Sequence, residues 1–239
     1  MNNFDEELIK KYLPEEKWED SFKKLESGYP VQYIIGNVDF YNSIININEH
    51  VLIPRFETEY LVDYLIKILK DYNFESPNIL DIGTGSRCIS IALKKNLDSF
   101  IKAIDINSEA ISVAKSNAKL NNVNIDFENI RIEEFVSNEK FDVIVSNPPY
   151  IAYDEIVDEK TKYEPQNALY ADDNGLYFYK LIIEKSKLLL KGRGIIAFEI
   201  GSTQAIDITS YAKSIYPNAK IIVKKDLNNF DRYIFIINE

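Results

Sequence analysis

Five consecutive residues, Ser146-Asn147-Pro148-Pro149-Tyr150, are the part of this 239-residue chain whose side chains point most directly to a reaction. Asn147 offers a side-chain carbonyl, Pro148 a backbone carbonyl on a rigid segment, and Tyr150 a flat π-face. Two converging acceptors suit a planar NH2 group, which has two hydrogens to give. The nitrogen of an amide or an aryl amine is a poor nucleophile because its lone pair is delocalised. Acceptors that draw its hydrogens out of the conjugated plane free that lone pair for attack. The expected chemistry is alkylation of a planar nitrogen, with Asn147, Pro148 and Tyr150 as catalytic residues. Together with Pro149 they form the expected substrate pocket. Taken alone, Asn-Pro-Pro is also an ordinary strand-to-loop turn, and the neighbouring segments decide between the two.

The second informative stretch is Ile79-Leu80-Asp81-Ile82-Gly83-Thr84-Gly85-Ser86, which reads as a strand running through a glycine turn into a helix. Glycines let the backbone approach a ligand closely. A dinucleotide fingerprint requires a third glycine at position 88, and Cys88 stands there. Asp81 before the turn suits an ammonium group better than a pyrophosphate. Ile101 to Ile104 forms the next strand and ends in Asp105, where a carboxylate typically binds ribose hydroxyls. An ammonium partner, a ribose partner and no phosphate cradle fit S-adenosylmethionine. The expected cofactor residues are Asp81, Gly83, Thr84, Gly85, Asp105 and Asn147, with Asn129 reaching the adenine amine.

These residues need elements that bring them to one place. Phe141 to Val145 is a short apolar run that reads as a buried strand. The two prolines after it have no N–H to give, so pairing stops and Asn147 lies at the strand's carboxyl end. From residue 78 onward strand and helix alternate. Strands are expected at 78–82, 100–105, 125–127, 141–146, 194–200, 220–224 and 232–237, with helices at 86–95, 108–120, 174–190 and 203–215. Such alternation implies an α/β fold with a parallel sheet covered on both faces. The last two strands are joined by a short loop and are expected to pair antiparallel. In an open sheet of this kind ligands bind at the carboxyl ends of the strands.

The N-terminal part reads differently. Residues 3–27 look helical, with Pro14 at a helix start, Gly28 past the end, and Leu13, Trp18, Phe22 and Leu25 on one face. Residues 31–53 carry period-two apolar patterning that reads as a small hairpin or meander turning at Gly36-Asn37. A domain boundary is placed near residue 50, giving a small region 1–50 and a catalytic domain 51–239. An apolar-periodic helix follows from Tyr60 to Leu69. The helix dipole favours Glu57 and Glu59 at its start, but Arg55 sits poorly there unless it has a partner.

Bulk properties narrow the function. The net charge of −10 argues against a chain built to grip nucleic-acid phosphates. The acidic segment Asp154, Glu155, Asp158 and Glu159 beside Tyr150 argues the same way. The single cysteine rules out an intramolecular disulfide and fits a reducing cytosol. Residues Met1 to Lys10 are acidic and do not read as a signal peptide. No run approaches the ~18 apolar residues of a membrane span. His50, the only histidine, has no Cys or acidic partner at ligand spacing, so no metal site is expected. We expect a cytoplasmic monomer that binds neither nucleic acid nor membrane directly.

With these residues in view, the chain resembles the bacterial protein-glutamine methyltransferases of the HemK/PrmC type, which modify peptide chain release factors. The likeness runs from Gly28 to the C-terminus. It is carried by Gly28-Tyr29-Pro30-Val31-Gln32-Tyr33-Ile34-Ile35-Gly36, by Leu52-Ile53-Pro54-Arg55 with Glu57-Thr58-Glu59, and by Asp81 to Ser86. Asn147 to Tyr150, Tyr163-Glu164-Pro165, Asn174-Gly175-Leu176, and Asp226-Leu227 with Arg232 complete it. Asn-Pro-Pro-Tyr is shared with many amine methyltransferases, and the combination with Ile-Pro-Arg and Glu-Thr-Glu is the specific one. The resemblance implies a class I methyltransferase fold with a seven-stranded sheet and S-adenosylmethionine as cofactor. It also implies that the substrate is the glutamine of the Gly-Gly-Gln loop in class 1 release factors. The other substrates weighed are a nucleic-acid base amine and a ribosomal-protein glutamine. The chain departs from the family pattern at Arg87, where glycine is usual, and in a shorter N-terminal helical region.

Overall fold

Pro14 divides the N-terminal segment instead of opening one long helix. In the computed structural model, which describes residues 3–157 and 159–239 and leaves the side chains of Asn3, Glu159 and Lys160 undescribed, helix α1 spans Asn3–Tyr12. A short 3₁₀ turn over Glu15–Lys17 then leads into α2, Trp18–Glu26. Met1, Asn2, Asp158 and the carboxylate of Glu159 lie outside the described residues, so the acidic flank is described only at Asp154 and Glu155. Leu13, Trp18, Phe22 and Leu25 are half-buried, and the Trp18 indole N–H donates to the Leu13 carbonyl across the break at 3.0 Å.

The next segment corrects the expected hairpin. Val31–Ile35 is a single helical turn, α3, and not a strand. Pro30, at φ −59°, is preset to enter a helix, and Gly36, at φ 85°, closes it in the left-handed region. Five residues are too few for period two to be told from period 3.6. Strands β1 (Asn37–Phe40) and β2 (Ser43–Asn46) do form a hairpin, turned at Tyr41-Asn42 rather than at Gly36-Asn37. Both turn residues have positive φ, 45° and 57°, as a tight hairpin with the right twist requires. The Tyr41 N–H donates to Glu59 and its hydroxyl to Asp63, which ties the turn to the following helix.

That helix, α4 (Phe56–Asp71), buries Leu61, Val62, Leu65 and Leu69 along one face. The alternating region follows in chain order: β3 (Asn78–Ile82), α5 (Cys88–Asn96), β4 (Phe100–Asp105), α6 (Ser108–Leu120), β5 (Asp126–Asn129) and β6 (Phe141–Ser146). Then come α7 (Tyr177–Leu189), β7 (Leu190–Glu199), α8 (Ala205–Ile215), β8 (Lys220–Lys225) and β9 (Asp231–Asn238). The seven strands β3–β9 form one sheet in the order β5-β4-β3-β6-β7-β9-β8, in which β9 alone runs antiparallel to its neighbours. This is the sheet expected from the sequence.

The strands are apolar on both faces because both faces are covered. Ile79, Val143, Val145, Ile195 and Ala197 point into one cluster with α4, α5 and the hairpin residues Phe40 and Ile45. Leu80, Ile144, Ile196 and Phe198 point into the other with Tyr179, Ile183, Ile208 and Ala212 of α7 and α8. Successive residues alternate between the two, as period-two side chains must. No helix among the described residues is long and apolar enough to cross a membrane.

Candidate active site

The sheet reverses its winding between β3 and β6, so the connections leaving their carboxyl ends diverge and open a crevice there. One cleft occupies this place. Its lining includes Thr58, Gly83 to Ser86, Asp105 to Asn107, Ile130 to Glu133, and Ser146 to Pro149. The Ser146 hydroxyl donates to the Ile82 carbonyl at 2.7 Å, which locks the two central strand ends together beneath it.

The glycine turn is held from below. Gly83 and Thr84 donate their N–H groups to the Ile104 carbonyl, and Gly85 donates to Asp105 Oδ2 at 2.9 Å. Gly83 and Gly85 sit at φ 69° and 50°, the region that favours glycine, with open space above each. Asp105 Oδ1 accepts from the Asn107 N–H at 2.8 Å. Burial pushes the Asp105 carboxyl up, against the N–H groups of Asn107, Gly85 and Ile106. The Asn107 side chain caps α6 at the Glu109 N–H.

Two expected cofactor residues are placed elsewhere. Asp81 is 1% exposed, lies beneath the turn and is not among the lining residues. Its Oδ2 accepts from the hydroxyls of Thr84 and Ser90, both at 2.6 Å, while Oδ1 is buried without a hydrogen-bond partner among the described residues. Burial raises its pKa. Asn129 is exposed and donates to the carbonyls of Asp105 and Ile106 at 2.8 and 2.9 Å, so it braces the strand end, and Ile130 takes the lining position. Arg87 neither enters the cleft nor reaches solvent. It is fully buried at φ 75°, its guanidinium lies over the Phe127 ring, and none of the guanidinium nitrogens has a hydrogen-bond partner among the described residues.

At the other wall stand Asn147, Pro148 and Pro149. Asn147 Nδ2 lies 3.5 Å from Thr58 Oγ1, and the Thr58 hydroxyl donates to Glu199 Oε2 at 2.7 Å. Glu199 is 2% exposed and accepts the Thr58 hydrogen bond out of reach of solvent. Burial pushes its carboxyl up to about 7, against Thr58 and Arg232, which lower it. Tyr150 lies outside the lining set, contrary to the expected pocket wall. Its ring packs near Gly201, its N–H donates to the Leu169 carbonyl, and its own carbonyl accepts from Gln204 Nε2 at 2.9 Å. Gly175 lies so close beneath that a Cβ there would stand 2.0 Å from the Tyr150 oxygen. Burial pushes the Tyr150 phenol up to about 12.

Arg55 finds its partner in Glu164: Nη2 meets Oε1 at 2.5 Å, and Oε2 accepts from the Ile53 N–H. This pair clamps the Ile-Pro-Arg segment to the chain after the Asn-Pro-Pro-Tyr loop. His50 is exposed at the cleft rim and offers its carbonyl to Asn107.

Sequence reasoning missed four residues of this framework: Thr58, Asn117, Glu199 and Gln204. Asn117 is fully buried and bridges the Asn46 backbone to the Ser86 carbonyl, tying the hairpin to the glycine turn. A signal for Glu199 was available, since it closes the apolar run Ile195 to Phe198 as Asp105 closes Ile101 to Ile104.

Comparison with known proteins points the same way. Residues 58–162 match the family model for the methyltransferase small domain. The release factor glutamine methyltransferase of Enterococcus faecalis is 38% identical over 223 residues, covering 91% of this chain and 79% of its own. That of Flavobacterium psychrophilum is 40% identical over 226 residues, with the same 91% and 79% covered. Among solved structures, the release factor-specific protein-(glutamine-N5) methyltransferase of Alicyclobacillus acidocaldarius matches with a TM-score of 0.50 at 26% identity. That match covers 78% of this chain and 94% of the other.

Proposed function

The chain belongs to the release factor glutamine methyltransferase family, and on that premise we propose the reaction it carries out. It transfers a methyl group from S-adenosylmethionine to the side-chain amide nitrogen of the glutamine in the Gly-Gly-Gln loop of class 1 peptide chain release factors. One observation carries the reading: the Asn147–Pro148 acceptors and the Gly83–Gly85 turn with Asp105 line the same cleft.

The residues fit the cofactor. Open space stands over both glycines of the turn, and the Asp105 carboxylate at the second strand end suits ribose hydroxyls. Gly83, Thr84, Gly85 and Asp105 would hold it, with Asp81 acting from below through the Thr84 hydroxyl. When bound, the cofactor supplies an electrophilic methyl on a sulfonium sulfur. The chain's own contribution is positioning and electrostatics. Asn147 Oδ1 and the Pro148 carbonyl accept the two amide hydrogens, bring the nitrogen lone pair out of conjugation and stabilise positive charge as it grows. The extra proton leaves after the methyl is in place, so no strong base has to act first.

Residues 1–50 are the proposed substrate-recognition region. The Tyr163 hydroxyl donates to the Ser27 carbonyl at 2.8 Å and the Tyr29 and Tyr163 rings meet edge to face, which sets that region against the segment after the catalytic loop. The enzyme is proposed to act in the cytoplasm as a monomer, without direct nucleic-acid contact, in keeping with the net charge of −10. The test is a parallel methylation assay with labelled cofactor against a class 1 release factor, total RNA and ribosomal proteins. Label is expected on the release factor alone, and label confined to RNA or to a ribosomal protein would overturn the reading.

A further inference from the structure

A primary amide has one acceptor end and one donor end of nearly the same shape, so surrounding groups must decide which end faces a substrate. Asn147 can hold a substrate NH2 only with its oxygen toward the cleft. Turned over, it would meet two donors with two more.

Behind Asn147 the structure supplies acceptors. The Thr58 hydroxyl gives its single hydrogen to Glu199 Oε2 at 2.7 Å. That leaves Thr58 Oγ1 only lone pairs to offer Asn147 Nδ2. An ionised Glu199 has no hydrogen to give, so it keeps the Thr58 hydroxyl hydrogen turned toward itself and away from Asn147. Both groups are buried, Thr58 at 2% and Glu199 at 2% exposure, so water does not compete for either. Glu199 ends β7, the strand paired with β6, whose end carries Asn147.

We infer that Glu199, acting through Thr58, is a positioning residue that fixes the Asn147 amide with its oxygen toward the cleft. This rests on the proposed function, because it assigns Asn147 the task of accepting substrate hydrogens. It also gives a buried acid, which is not among the cleft-lining residues, a reason to stand behind Thr58.

The orientation depends on Glu199 being ionised. A protonated Glu199 has a hydrogen of its own and no longer demands the NH2 end of Asn147. Its carboxyl is pushed up to about 7, so orientation weakens as pH falls through that value. The charged and titratable groups facing Glu199 are Glu57 on α4, Cys88 on α5, Tyr150 after β6, Tyr179 on α7, and Arg232 and Tyr233 on β9. The Cys88 thiol, the phenols of Tyr150, Tyr179 and Tyr233 and the Arg232 guanidinium are all held above their ordinary values, so none of them titrates alongside Glu199.

The test compares wild type with Glu199→Gln, Thr58→Val and Thr58→Ser. It measures kcat and KM on a release factor from pH 6 to 8, cofactor affinity by calorimetry, and side-chain amide hydrogen exchange at Asn147 in cofactor-free protein. Glu199→Gln is expected to lower kcat by roughly 10- to 100-fold, as loss of an outer partner that orients a functional group does. Cofactor affinity stays within about two-fold, the acid limb of the wild-type profile disappears, and exchange at Asn147 quickens. Thr58→Ser recovers most of what Thr58→Val loses. A Glu199→Gln enzyme with wild-type kcat, or one that keeps the same acid limb, overturns the inference while the proposed function stands. A wild-type protein inactive on release factor overturns both. Should Glu199→Gln fail to fold, the two Thr58 variants decide alone: equal rates for Val and Ser refute the role.

Discussion

Replacing Glu199 by Gln removes an ionisable group that the fold holds in an unfavourable state at neutral pH. Its carboxyl stands near 7 in the folded protein against an ordinary value of 4.5, with burial as the largest cause. Each pKa unit corresponds to about 1.4 kcal/mol, so full ionisation of Glu199 costs the fold about 3 kcal/mol. The sign follows from linkage. The folded carboxyl binds its proton more tightly than the unfolded one, so its stabilising contribution is whole below 4.5 and is lost as pH rises through 7. Glutamine keeps the shape without the charge and has no such dependence. Unfolding in urea at pH 5 and at pH 8 should therefore show the variant gaining about 2 kcal/mol on wild type across that interval. Subtracting the two proteins cancels Asp81 and Asp105, which burial also raises. A variant-minus-wild-type difference that is flat with pH, or that falls, would refute a buried, protonation-sensitive Glu199. The expected pairing is a protein made more stable at pH 8 and less active, the trade common where a functional site carries a strained or desolvated group.

Asn147→Ala is expected to lose at least ~100-fold in rate, the scale of one positioned polar group, with cofactor affinity retained by calorimetry; near-normal turnover refutes its role. Arg87→Gly relieves a left-handed non-glycine residue, worth roughly 1–2 kcal/mol, and removes a buried guanidinium without hydrogen-bond partners among the described residues, against the cost of the cavity left behind. Its melting temperature should rise by a few degrees in calorimetry, and a fall would show that the Phe127 contact outweighs the strain. Arg55→Ala leaves the Glu164 carboxylate, 5% exposed, with the Ile53 N–H as its one hydrogen-bond donor among the described residues. Because Arg55 itself is 39% exposed, a loss of about 2 kcal/mol in urea unfolding is expected, below the cost of breaking a fully buried pair.

The sheet was legible because its strands are short apolar runs between turn signals, and Phe141 to Val145 ending at two prolines could hardly read otherwise. The cleft was legible from Asp105, which ends β4, and Asn147, which follows directly on β6. Val31–Ile35 was not, because one turn of helix leaves no period to detect, and the tie of its Tyr33 hydroxyl to the Val51 carbonyl is a long-range contact. Tyr41-Asn42 was missed as the turn because a tyrosine at positive φ is held there by Glu59 and Asp63, distant in sequence. Asp81 was assigned to the cofactor on residue type, whereas Thr84 and Ser90 take its carboxylate beneath the turn. Tyr150 followed the catalytic loop in sequence, yet Gly175 and Gln204 fix its backbone so that the ring lies toward Gly201. For Tyr33, Tyr41 and Tyr150 a partner far along the chain decided the placement, whereas the partners of Asp81 lie three and nine residues on.

The most direct measurement is mass spectrometry of a class 1 release factor incubated with this protein and isotopically labelled S-adenosylmethionine. The account predicts one labelled methyl on the side-chain amide of the Gly-Gly-Gln glutamine, absent with Asn147→Ala. An unmodified loop glutamine, or an equal yield from the Asn147→Ala protein, would contradict it.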